Sequence, residues 1–144
     1  SGSYIYQYGT PNGRRGAAFI SRVLPADILD LNRYEYFARN RWSPDPFAAV
    51  PIVRAPVSEM SVAYNSYLGK FISLGQSDNG VVMRTADDPV GPWTSGELVV
   101  PMNNPLTGYA PFIHPWSQGS TLYFTYSVSV GYQVYLMRLP LRRD

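Results

Sequence analysis

Cysteine is absent from the 144 residues, which excludes disulfides, thiolate nucleophiles and cysteine-ligated zinc. That absence leaves the compartment open. A single histidine, His114, excludes a multi-histidine metal centre. Charged residues make up only 15% of the chain, below the usual quarter, while 45% are hydrophobic, so the composition is that of a folded domain rather than a disordered one. No apolar run approaches the ~20 residues of a membrane-spanning helix. Lysine occurs once, at Lys70, and the 11 arginines are scattered from Arg14 to Arg143 with a net charge of +2. Nucleic-acid binding needs a concentrated basic face, and none is present. Also missing are a phosphate-cradling glycine loop, a GxSxG elbow and an HExxH pair.

Twelve tyrosines, 13 prolines and 12 glycines describe strands and turns, not helices. Ser1-Gly2-Ser3 reads as an appended start. Tyr4-Ile5-Tyr6-Gln7-Tyr8 alternates as a strand, Pro11-Asn12-Gly13 marks a hairpin turn, and Ala17 to Arg22 reads as the returning strand. Strands are likewise expected at Ser61 to Tyr64, Lys70 to Leu74, Val81 to Arg84, Pro111 to His114, Thr121 to Tyr126 and Tyr132 to Arg138. Three strands end on arginine: Ile20-Ser21-Arg22, Val82-Met83-Arg84 and Leu136-Met137-Arg138. Their spacings of 62 and 54 residues fit repeated antiparallel meanders with loops. The expected fold is all-β, about three four-stranded antiparallel blades of a β-propeller, over residues 4–37, 57–100 and 109–141. A sandwich does not predict such a repeat. Pro25 to Leu31 suits one or two helical turns, Tyr34-Glu35-Tyr36-Phe37 an outer strand, and Arg41 through Pro56 a proline-punctuated linker.

Glu59, in Val57-Ser58-Glu59-Met60-Ser61, opens the expected inner strand of the second blade. Inner-strand ends line a propeller's channel, and a carboxylic acid among apolar and hydroxyl neighbours suits a general acid. The alternative is a strand-end glutamate paired with an arginine from a neighbouring blade. His114 holds a similar place in the third segment, either binding substrate or fixing the turn after it. Tyr64, Tyr109 and Trp116 are candidate stacking faces for sugar rings, against the plainer role of strand packing. Asp87-Asp88 reads as a turn before a packed Trp93, not as a metal site. No cofactor and no metal are expected. Glycoside hydrolysis uses two carboxylates, and Glu59 has no evident second.

On Asn12 to Ala18, Leu29-Asp30-Leu31, Tyr34-Glu35-Tyr36, Val57 to Val62, Tyr67 to Lys70, Val82 to Ala86, Gly91-Pro92-Trp93 and Tyr109 to Pro115, the chain resembles the C-terminal part of the family called domain of unknown function 4185. The resemblance implies a five-bladed type of propeller related to glycoside hydrolases. Some members, glycoside hydrolase family 183, are endo-D-arabinanases acting on mycobacterial arabinogalactan and lipoarabinomannan. It implies Glu59 as a channel acid, His114 as a channel residue, and an extracellular or cell-envelope location. Family members also carry an N-terminal part with aspartates at strand ends and a Gly-Asp-Thr-like motif, which this chain lacks. The expected activity is therefore that of a glycoside-hydrolase portion needing a further segment, and the alternative is a non-catalytic carbohydrate-binding or assembly module. Either way the expected ligand is a polysaccharide or oligosaccharide. Three blades do not close a ring, whose usual minimum is about four. A homo-oligomer, such as two chains in one six-bladed ring, or a completing partner chain is expected.

Overall fold

The computed structural model describes residues 4–102 and 108–143; Ser1-Gly2-Ser3 lies outside them. The protein is all-β, with three separate antiparallel sheets and only single 3-10 turns as helix among the described residues. The first sheet joins β1 (Ile5–Gly9), β2 (Phe19–Val23), β3 (Glu35–Ala38) and β4 (Arg41–Ser43) in chain order. The second joins β5 (Ser58–Asn65), β6 (Lys70–Ser77), β7 (Gly80–Ala86) and β8 (Glu97–Pro101). The third holds β9 (Gly108–Ile113), β10 (Thr121–Val128) and β11 (Gln133–Pro140).

Three expectations are corrected. The third sheet has three described strands, not four. The first sheet runs on to Ser43, because Trp42 pairs with Phe37 and packs its ring 5.5 Å from it, so the linker begins later than its prolines suggest. Asn12-Gly13 does not close a tight hairpin. Pairing of β1 with β2 stops at Gly9↔Phe19. The intervening loop is drawn towards the segment before β5: the Ala18 N–H donates to Val53 O (3.0 Å) and the Val57 N–H to Gly16 O (3.0 Å). Elsewhere the turn chemistry holds. Pro25–Asp27 and Leu31–Arg33 each make one 3-10 turn, the second capped by the Asp30 carboxylate. Gly80, at φ 136°, opens β7; a Cβ there would strike Val100 O, so only glycine fits.

The repeated arginines show how the second and third sheets correspond. Arg84 lies opposite Ser73 on β6 and Arg138 opposite Tyr123 on β10, so β6 matches β10, β7 matches β11 and β5 matches β9. The third sheet has no described counterpart of β8. In the first sheet Arg22 lies opposite Tyr6 on β1. β1 is the first strand of that sheet and lies against β5 as β5 lies against β9, so Arg22 sits on a second strand, one strand inward of the other two arginines.

Burial follows the same register. Ile72 and Leu74 on β6 and Leu122 and Phe124 on β10 are all buried, and with Val81, Ile113, Tyr126 and Leu141 they form the core between the second and third sheets. Each such side chain contributes about 1.5–3 kcal/mol on burial. A smaller cluster of Ala18, Val53 and Val57, with Met60 and Trp93 against it, ties in the first sheet. No described helix is long and apolar enough to cross a membrane.

Candidate functional site

β5 and β9, the first strands of their sheets, lie side by side and run the same way. Three side-chain links join β5 to β9 and to the turn after it, in order. The Glu59 carboxylate accepts from the Ala110 N–H through Oε2 (2.7 Å). The Ser61 hydroxyl oxygen accepts from the Ile113 N–H (3.0 Å). The Asn65 amide donates to Ser117 O (2.7 Å) and Gly119 O (3.0 Å). These replace the ladder hydrogen bonds that two strands of different sheets do not share, and they fix one end of β5 relative to the other.

Both strands are bulged near their starts. Ser58 pairs with Gln76 and Ser61 with Leu74, leaving Glu59 and Met60 opposite Gly75 alone. Tyr109 pairs with Ser127 and Phe112 with Thr125, leaving Ala110 and Pro111 opposite Tyr126. A bulge bends the strand and re-aims its side chains. In each bulge the first residue is left-handed, Glu59 at φ 49° and Ala110 at φ 51°. Arg14, at φ 61°, completes the group, with its guanidinium 2.9 Å from Glu59 Oε1. Three of the six non-glycine residues with positive φ among the described residues therefore meet at one carboxylate. Each such conformation costs of order 1–3 kcal/mol, and strain of this kind concentrates where a side chain must be aimed for function. Glu59 is 24% exposed and Arg14 63%, so the carboxylate is partly open to solvent beside an exposed cation.

The other candidates divide between the two ends of these strands. Tyr109 adjoins Ala110 at the Glu59 end. Tyr64 lies five positions along β5 from Glu59, about 16 Å away at the usual rise per residue. His114 and Trp116 follow the far end of β9. His114 accepts from the Trp116 N–H through Nδ1 (3.3 Å), and its ring centroid is 4.2 Å from that of Trp116. Its carbonyl accepts from the Ser117 N–H (3.0 Å), so the histidine organises the turn it begins. Trp116 also stands edge-on to Tyr123 at 5.9 Å, and Tyr64 edge-on to Phe71 at 5.2 Å; both Trp116 and Tyr64 keep exposed ring surface. The structure thus brings Glu59 and Tyr109 to one end, and Tyr64, His114 and Trp116 to the other.

Sequence reasoning missed Ala110, whose left-handed backbone has no signature in its side chain. The Arg14 contact matches the alternative weighed against a general acid, a strand-end glutamate paired with an arginine, although the sequence singles out no particular arginine. Asp87 pairs with Lys70 (2.6 Å), and no group of three or more potential metal ligands occurs among the described residues. A cleft of about 770 Å³ is lined by Lys70, Met83, Glu97, Leu139 and Arg142 among others, and Glu59 does not line it.

Repeated antiparallel sheets joined side by side at their first strands, with a carboxylate held in a strained corner between them, define an all-β repeat protein with a surface polar site. The chain belongs to the family described as Domain of unknown function (DUF4185), whose model matches residues 1–138. Comparison with curated proteins finds no match.

Proposed function

We propose that this chain is the C-terminal portion of a glycoside-hydrolase-like β-propeller acting on cell-envelope polysaccharide, with D-arabinan the substrate to test first. The observation that carries the reading is the Glu59 corner: an accessible carboxylate aimed by a bulge, with Arg14 and the Ala110 N–H on its two oxygens. The side-by-side, same-direction course of β5 and β9 supports a propeller, since innermost strands of neighbouring blades run that way around a channel. An extracellular or cell-envelope location goes with that substrate.

Cleavage of a glycosidic bond needs one carboxyl group to protonate the leaving oxygen and a second to attack the anomeric carbon or take a proton from water. Glu59 accepts one hydrogen bond and pairs with one guanidinium, which suits the base or nucleophile better than the proton donor. The proton donor then comes from a segment beyond this chain. Arg14 and the Ala110 N–H hold the carboxylate in one rotamer, and Tyr109 borders the sugar.

One observation favours a second reading, carbohydrate binding without cleavage. The exposed rings of Trp116 and Tyr64 stand at the far end of the strands, away from Glu59. Incubating D-arabinan with the chain alone and with the chain joined to the N-terminal region of a family member separates the two. Released oligosaccharide from the joined protein only is the expected result. Binding with no product from either form leaves the second reading standing and ends the first.

A further inference from the structure

Asparagine followed by glycine occurs twice in the sequence, at Asn12-Gly13 and Asn79-Gly80. Such a pair is chemically reactive because glycine has no side chain to shield its amide nitrogen from the carboxamide one residue before it. The fold treats the two pairs differently. Asn79-Gly80 closes the turn between β6 and β7, with Gly80 paired opposite Ser77. The Asn79 N–H donates to Ser77 Oγ (3.3 Å), and the Asn79 carbonyl accepts from the Met102 N–H (2.9 Å). Gly80 is buried against the backbone of Val100 and Met102, so this turn moves only if the sheet opens.

Asn12-Gly13 has none of these restraints. Pairing of β1 with β2 stops at Gly9↔Phe19, and the backbone of the loop is next held at Gly16. Asn12 and Gly13 are both exposed, and a Cβ on Gly13 would meet nothing within 4 Å beyond its chain neighbours. Neither residue makes a hydrogen bond among the described residues. The next residue is Arg14, whose guanidinium lies 2.9 Å from Glu59 Oε1. The reactive pair therefore sits in the loop that delivers a cation to the Glu59 corner.

We propose that Asn12 is a site of spontaneous deamidation and that the modification loosens the Arg14–Glu59 contact. The Gly13 amide nitrogen gives up its proton to solvent and attacks Asn12 Cγ. An N–C bond forms, the Cγ–Nδ2 bond breaks, and ammonia leaves after taking a proton back from solvent. The resulting cyclic imide adds one water at either of its carbonyls, which leaves an aspartyl or an isoaspartyl residue at position 12. No oxidant or reductant takes part. Either product places a carboxylate two residues from Arg14, within about 7 Å along the main chain. The isoaspartyl form also adds one carbon to the main chain ahead of Arg14. The new carboxylate competes with Glu59 for an exposed guanidinium, and Glu59 is left with the Ala110 N–H alone. The inference holds whatever Glu59 does to sugars.

The test incubates the whole folded chain in mildly alkaline heavy-oxygen water and reads each peptide by mass spectrometry, with a parallel sample in urea. In the folded chain, residue 12 is expected to take up heavy oxygen at least about ten-fold faster than residue 79, which corresponds to about 1.4 kcal/mol of local opening at the β6–β7 turn. In urea the two rates are expected to converge, because only the fold separates them. Asn12→Gln is expected to stay unlabelled at that position. Amide exchange at Ala110 then reports the Glu59 contact. Asn12→Asp is expected to speed it about two- to five-fold, as Arg14→Ala does, the range for loss of an exposed ion pair. Equal labelling of residues 12 and 79 in the folded chain, or labelling of neither, would overturn the proposal. So would an Ala110 exchange rate that Asn12→Asp leaves unchanged.

Discussion

Replacing Glu59 by glutamine separates a structural from a functional carboxylate, because the structural cost is small and can be worked out. The side chain keeps its size and loses its charge. Arg14 is 63% exposed, so its ion pair contributes about 0.2–1 kcal/mol. The Ala110 N–H exchanges an ionised acceptor for a neutral one, a loss of about 1 kcal/mol. Together Glu59→Gln lowers stability by about 1–2 kcal/mol, read as a fall in the urea midpoint with an unchanged slope. A carboxylate that takes part in proton transfer is worth about 10²–10⁴-fold in rate. Turnover of arabinan by the completed protein is therefore expected to fall at least a hundred-fold, far more than that stability change explains. Glu59→Gly sharpens the contrast. It relieves the left-handed strain while removing the carboxylate, so its stability should match or exceed that of Glu59→Gln while activity is lost as completely. Full activity in Glu59→Gln refutes the catalytic assignment. A stability loss above about 3 kcal/mol refutes the energetic reasoning instead, since it would make the corner a structural keystone.

Further outcomes follow from the same contacts. Phe124→Ala leaves a cavity at the centre of the core and is expected to cost about 3–5 kcal/mol by chemical denaturation. Asn65→Ala strands the carbonyls of Ser117 and Gly119 and the Leu68 N–H, and is expected to cost about 1–3 kcal/mol, with faster amide exchange in the turn after His114. The Tyr8 hydroxyl donates to Pro89 O (2.8 Å), and burial, with a smaller contribution from Tyr6, raises its pKa above the ordinary 10.0. Its contribution to stability is fully present below about pH 10 and is lost as pH rises towards the folded value, by about 1.4 kcal/mol per unit. Tyr8→Phe should remove that part of the alkaline slope in a pH series of urea midpoints. Trp116→Ala, at an exposed ring, should change stability by less than about 1 kcal/mol and leave arabinan turnover intact.

The strands were legible because alternation, Gly-containing turns and the recurring arginine all speak locally. The arginine repeat marks structural equivalence for Arg84 and Arg138, which lie on matching strands, but not for Arg22, which lies on the second strand of its sheet. Trp42 was hidden by the prolines that follow it, since its pairing with Phe37 is decided by packing rather than by propensity. At the site, Glu59 stood out through its strand-end position, but its partners come from 45 residues before and 51 after, and a left-handed alanine leaves no trace in sequence. From sequence His114 holds a place like that of Glu59, whereas it follows the end of β9 opposite Glu59.

The most direct measurement is a crystal structure of the Glu59→Gln protein, joined to the N-terminal region it is proposed to need, with an arabino-oligosaccharide bound. The account predicts a sugar ring against residue 59, between Arg14 and Tyr109. A saccharide stacked on Trp116 and Tyr64, with the Glu59 corner vacant, would contradict it.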